Sequence, residues 1–122
     1  METTIKDGVF IHISRGTEDP HRVLMGLTLA EKMSEDKDVL VFFDIQGVEV
    51  PLKNGKTIEF REFESTAILL PKLIQKGVLI CVCPMCLKAT NHQPEDLIEG
   101  VQIAEKEAMF NFTQGRILSL DY

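Results

Sequence analysis

The chain has 122 residues, 44% of them hydrophobic, and a formal net charge of -6 at pH 7. That length suits one packed domain over residues 1–122, since domains commonly run to roughly 100–150 residues, and the apolar content sets it apart from disordered chains. An acidic balance without a clustered basic face argues against nucleic acid as the main partner, and no run approaches the roughly 20 apolar residues that span a bilayer.

Met1 to Asp7 is too polar for a secretory signal, so a cytoplasmic setting is expected, with Cys81, Cys83 and Cys86 as reduced thiols. Gly8-Val-Phe-Ile-His-Ile-Ser14 is apolar on both faces, the pattern of a strand buried between two layers. Asp19-Pro20 then supplies an N-cap and a proline at the first helical position. Val23, Leu24, Leu27 and Ala30 follow at helical spacing, which predicts a helix from about Pro20 to Met33. Val39-Leu-Val-Phe-Phe43 repeats the strand signature and ends in Asp44.

Between Asp44 and Glu64 two readings stay open. Asn54-Gly55 suggests a hairpin, and a loop with a short helix fits as well. Ser65 and Thr66 are candidate N-caps for a helix through Leu69, Leu70, Leu73 and Ile74, closed by Gly77, with Pro71 expected to delay or kink it. Val78-Leu-Ile-Cys-Val82 reads as a third buried strand running into Cys83-Pro84-Met85-Cys86, where a helix opens. Pro94-Glu-Asp-Leu predicts one helical turn, Gly100 to Ile103 a fourth strand, Glu105 to Thr113 a helix, and Arg116 to Leu120 the last strand. Alternating strands and helices with right-handed crossovers predict an α/β three-layer sandwich. Its sheet is mainly parallel, with about five strands and helices on both faces, in the flavodoxin or Rossmann manner.

In such a sheet, ligands bind beyond the carboxyl ends of the strands, where loops converge and helix N-termini point. Cys83 falls at such an end. Pro84 suits the first helical position, which makes Cys83 an N-cap facing unpaired N–H groups, an environment that favours the thiolate. Thiolate is the nucleophile in persulfide transfer, disulfide exchange and peroxide reduction alike, so placement supports reactivity without choosing the reaction. Cys86 follows one helical turn on and is a candidate resolving thiol, or else a packed helix-face residue. Cys81, inside the apolar run, reads as a small core hydrophobe.

Cys83 and Cys86 with His92 resemble half of a zinc set, yet the second cysteine pair of a structural zinc site is missing, so no metal is expected. His12 lies mid-strand and reads as a satisfied core histidine; His21, in the first turn of the first helix, reads as a surface residue near the edge that holds Ser14, Arg15 and Asp44. Ser14-Arg15-Gly16 is too short for a phosphate loop, and Gly47 with Gly55 lacks dinucleotide spacing, so no nucleotide cofactor is expected.

Lys72-Leu-Ile-Gln-Lys-Gly-Val-Leu-Ile-Cys-Val-Cys-Pro-Met-Cys-Leu-Lys-Ala89 with Pro94-Glu-Asp-Leu-Ile-Glu-Gly-Val101 resembles the DsrE/DsrF-like family, which includes TusD-like sulfur-relay members. The resemblance implies a compact parallel α/β fold, no cofactor, and assembly as trimers, hexamers or hetero-oligomers. It also implies a persulfide-carrying cysteine directly after a central strand, a position matched here by Cys83. Cys86 departs from the relay pattern. Three readings follow: a sulfur carrier relaying persulfide from Cys83 between donor and acceptor proteins, a dithiol redox or peroxide-handling protein using Cys83 and Cys86, and a non-catalytic oligomeric binding module.

Overall fold

The computed structural model describes residues 5–122 of the protein. Five strands, β1 (Gly8–Ile13), β2 (Asp38–Phe43), β3 (Leu79–Val82), β4 (Val101–Ile103) and β5 (Ile117–Asp121), form one sheet in the order β4-β3-β2-β1-β5. Every neighbouring pair is parallel. Helices α1 (Pro20–Met33), α2 (Thr66–Gln75), α3 (Pro84–Ala89) and α4 (Lys106–Phe112) make the crossovers.

The predicted α1 is found between the same two residues, for the local reasons that predict it. The Asp19 carboxylate accepts the Arg22 N–H at 3.2 Å, Pro20 needs no N–H partner, and Val23, Leu24, Leu27 and Ala30 form the buried stripe. Gly26 lets this helix close on the sheet, since a Cβ placed there would stand 3.0 Å from the Ile13 side chain. Helix α2 begins five residues before Pro71, which therefore sits inside it and does not delay its start. At its other end Gly77 takes φ +82°, and the Gly77 and Val78 N–H groups donate to Ile74 and Leu73 carbonyls at 3.1 and 3.0 Å.

Val9, Ile11 and Ile13 of β1 and Val39, Val41 and Phe43 of β2 are buried on the face beneath α1 and α2. Burying each such side chain contributes about 1.5–3 kcal/mol relative to exposure. The opposite face carries Phe10, His12 and Phe42, which are half-buried. Helix α4 reaches that face at its lower end, where Phe112 occupies the space that a Cβ on Gly8 would enter.

Of the two readings of residues 44–64, the loop with a short helix is the one adopted. A 3-10 turn spans Ile45–Glu49, and Asn54-Gly55 turns a coil held to the rest of the chain by an antiparallel bridge between Leu52 and Leu97. The coil returns to α2 through a reciprocal pair: the Ile58 N–H donates to Thr66 Oγ1 at 2.9 Å, and the Thr66 N–H donates to the Ile58 carbonyl at 3.1 Å.

Candidate functional site

The carboxyl ends of β1, β2, β3 and β5 meet at one edge. The Cys83 N–H donates to the Phe43 carbonyl at 2.9 Å, the Asp44 N–H to Ile13 at 3.3 Å, and the Ser14 N–H to Tyr122 at 2.9 Å. Strand register pairs His12 with Phe42 and with Asp121, and Phe42 with Cys81. Because side chains alternate along a strand, His12, Asp44, Cys83 and Asp121 all belong to the half-open face.

Cys83 is the N-cap of α3, with extended backbone, and its sulfur accepts the Cys86 peptide N–H at 3.5 Å. The expected strand-to-helix junction is thus present, and both thiols lie on its single turn, each half-buried. The Cys86 thiol is held down by the Ile45 peptide N–H, but partial burial, the neighbouring Cys83 sulfur and the Asp44 carboxylate together push it above the ordinary thiol value. Cys81 is 1% exposed, and burial pushes its thiol up to about 11, as befits a core residue. Two apolar side chains stand open beside the pair, Met85 and Ile45, 80% and 59% exposed.

His12 is fully bonded, as a core histidine would be, but it lies at the edge. Its Nε2 is 2.7 Å from Asp44 Oδ1 and its Nδ1 is 2.9 Å from Asp121 Oδ1. Both contacts are N–H donations only when the ring is protonated. Partial burial opposes that charge, and the two carboxylates outweigh it and raise the histidine above its ordinary value. Ile45, next in the chain to Asp44, takes φ +51°, a left-handed backbone rare for a β-branched residue. The sequence places Asp44 at this sheet edge but assigns no role to it, to Asp121 or to Ile45, and does not show that His12 bridges the two carboxylates. The available signal was that Asp44 and Asp121 each end an apolar run, which in a parallel sheet puts both carboxylates at the same edge.

His21 is exposed and stacks on Phe60, with ring centroids 4.5 Å apart. His92 lies 3.8 Å from Asp96 and joins no set with Cys83 and Cys86; among the described residues no three His, Cys, Asp or Glu side chains are grouped to hold a metal ion.

A parallel α/β domain with a two-cysteine turn beyond its third strand defines a thiol-bearing protein of the open-sheet class. The model of the DsrE/DsrF-like family matches residues 7–115, and the chain belongs to that family. No curated protein sequence shows a significant match. Among solved structures, the chain is similar to the YchN protein of E. coli, with TM-score 0.75 and 19% identity over 97% of this chain and 100% of that one. It is also similar to MTH1491 of Methanobacterium thermoautotrophicum, a protein of unknown function, with TM-score 0.72 and 21% identity over 94% of this chain and 98% of that one. At these identities the likeness is one of fold.

Proposed function

We propose that the protein carries sulfane sulfur as a persulfide on Cys83 and passes it to a partner thiol. Membership of the DsrE/DsrF-like family supports a sulfur-relay type of role. The observation that carries the reading to a residue is the Cys83 sulfur itself, half-buried beyond β3 and accepting a peptide N–H at 3.5 Å. In the first step the Cys83 thiolate attacks the outer sulfur of a donor persulfide, an S–S bond forms at Cys83, and the donor leaves as a thiolate. In the second, an acceptor thiolate attacks the terminal sulfur and Cys83 departs with the electron pair of the broken S–S bond. Neither step needs an external oxidant or a deep pocket. The thiols open beside exposed Met85 and Ile45, a setting that suits a docking partner.

Cys86 supports a second reading. Its N–H meets Cys83 and its thiol lies beside that sulfur, so the pair can close to a disulfide by losing two hydrogens to an oxidant, as in thiol-disulfide exchange or peroxide handling. We place the protein in the reducing cytoplasm, as a homo-oligomer of the trimeric or hexameric kind expected of the family. To test the relay, protein loaded from a small persulfide donor is freed of that donor and mixed with glutathione. Appearance of glutathione persulfide, lost in Cys83→Ser and kept in Cys86→Ser, supports the reading; retention of sulfur in the presence of excess thiol counts against it.

A further inference from the structure

The sheet ends in two edge strands of unlike character. β4 is three residues long, and Gly100 before it takes φ +99°. β5 is five residues long and runs one-to-one beside β1, without a bulge, from Ile117 against Gly8 to Asp121 against His12. Natural sheet edges are blunted by shortness, lysine, proline or a bulge, and β5 has none of these. The charges at its two ends are engaged within the chain: Arg116 Nη2 lies 2.6 Å from Asp7, and Asp121 lies 2.9 Å from His12 Nδ1. Toward β1, the Gly8 N–H donates to the Arg116 carbonyl at 2.8 Å, the Tyr122 N–H to His12 at 2.7 Å, and the Ser14 N–H to Tyr122 at 2.9 Å. Bonding direction alternates along a strand, so the N–H and C=O groups of Ile117, Ser119 and Asp121 point to the other side. Among the described residues no strand pairs with that side. Leu118, in register with Val9 on the α1 face, is 50% exposed.

We propose that β5 pairs antiparallel with β5 of a second copy of the chain, about a two-fold axis at Ser119, joining the two sheets into one. Only the register centred there gives every outward group a partner. Ile117 then faces Asp121 of the second copy and Ser119 faces its own counterpart, and each such pair exchanges both N–H···O=C bonds. A slip by two residues leaves Ile117 or Asp121 without its mate, and a slip by one sets outward groups against inward ones. The side chains agree with this register. Leu118 stands opposite Leu120 of the second copy in the close, non-hydrogen-bonded position, and the symmetry repeats the contact, so that the exposed Leu118 is covered on the α1 face. Each chain carries a formal charge of -6, yet the strand that meets its twin holds a single charged residue, Asp121, which is bonded to His12 and does not face its own counterpart. The pairing gives the homo-oligomer already proposed its two-fold contact, and it stands whether or not Cys83 carries sulfur.

The test is the mass of the native full chain by sedimentation equilibrium, in the wild type, Ser119→Pro and Leu118→Lys. The Ser119 N–H points to the open side, so proline there removes the central bonds of the pairing while sparing the ladder to β1, and a retained melting temperature checks that the fold is intact. The wild type should hold an even number of chains, and each folded variant should halve its mass. A wild-type trimer overturns the proposal but not the family expectation, a wild-type monomer overturns both, and a mass unchanged in a folded variant overturns the proposal. Cross-linking fixes the register and decides the matter if both variants fail to fold. In a Cys83→Ser, Cys86→Ser background, Ser119→Cys should form an intermolecular disulfide under a mild oxidant, because directly opposed Cα atoms stand about 5.5 Å apart. Leu118→Cys, whose own counterpart lies two residues further along, should not. Equal cross-linking in the two variants, or none in Ser119→Cys, overturns the proposal.

Discussion

The Glu49 carboxylate receives both the peptide N–H and the hydroxyl of Thr17, at 2.6 and 2.9 Å, which ties the 3-10 turn after β2 to the loop after β1. That turn begins at Ile45, so the same contact braces the segment standing against Cys86. Gly16 permits the approach, because a Cβ there would run into the Glu49 carboxylate and the Gln46 carbonyl.

Glu49→Ala should therefore cost about 1–2 kcal/mol, the loss of two donors from a charged acceptor at a partly exposed site. Gly16→Ala should cost at least as much, through a clash with backbone as well as side chain. Chemical denaturation checks both. Stability unchanged in Glu49→Ala would show that the brace contributes nothing.

Thr66 is 4% exposed, and its hydroxyl is the acceptor for the buried Ile58 N–H. Thr66→Val keeps the shape and strands that donor, so a loss of about 1–3 kcal/mol is expected; Thr66→Ser, which keeps the hydroxyl, should lose less. Equal losses in the two variants would contradict the role given to the hydroxyl.

His12 makes stability depend on pH in a defined direction. Its folded value lies above the ordinary 6.5, despite partial burial, because Asp44 and Asp121 face it. The stabilisation from the imidazolium is then fully present below pH 6.5 and is lost as pH rises through the folded value. Melting temperature should decline across that window in the wild type and less so in Asp44→Asn. A decline of the same size in that variant would remove His12 as its source.

Much of the fold was legible because its signals are local. Asp19-Pro20 marks the start of α1, the apolar runs mark β1 to β3, and Pro84 after an apolar run marks Cys83 as an N-cap. Residues 44–64 were not, because Asn54-Gly55 has no strand partner on its far side and the coil is held by Leu97 and Thr66, distant in sequence. The histidine cluster was hidden for the same reason. His12 meets Asp44 and Asp121 across 32 and 109 positions, and only the register of three parallel strands brings them together.

Cys81 offers an internal control for thiol chemistry. With burial pushing it up to about 11, it should stay unmodified by iodoacetamide at pH 8 in the native protein while Cys83 and Cys86 react, and react fully only on unfolding. Modification of Cys81 at the rate of its neighbours would show that the end of β3 opens in solution.

The relay reading is tested most directly by intact-protein mass spectrometry after exposure to a persulfide donor, with Cys83→Ser and Cys86→Ser treated in parallel. The expected result is a gain of one sulfur atom that vanishes in Cys83→Ser and persists in Cys86→Ser. A sulfur retained in Cys83→Ser and localised to Cys86 would contradict it, as would a loss of two hydrogens that requires both cysteines.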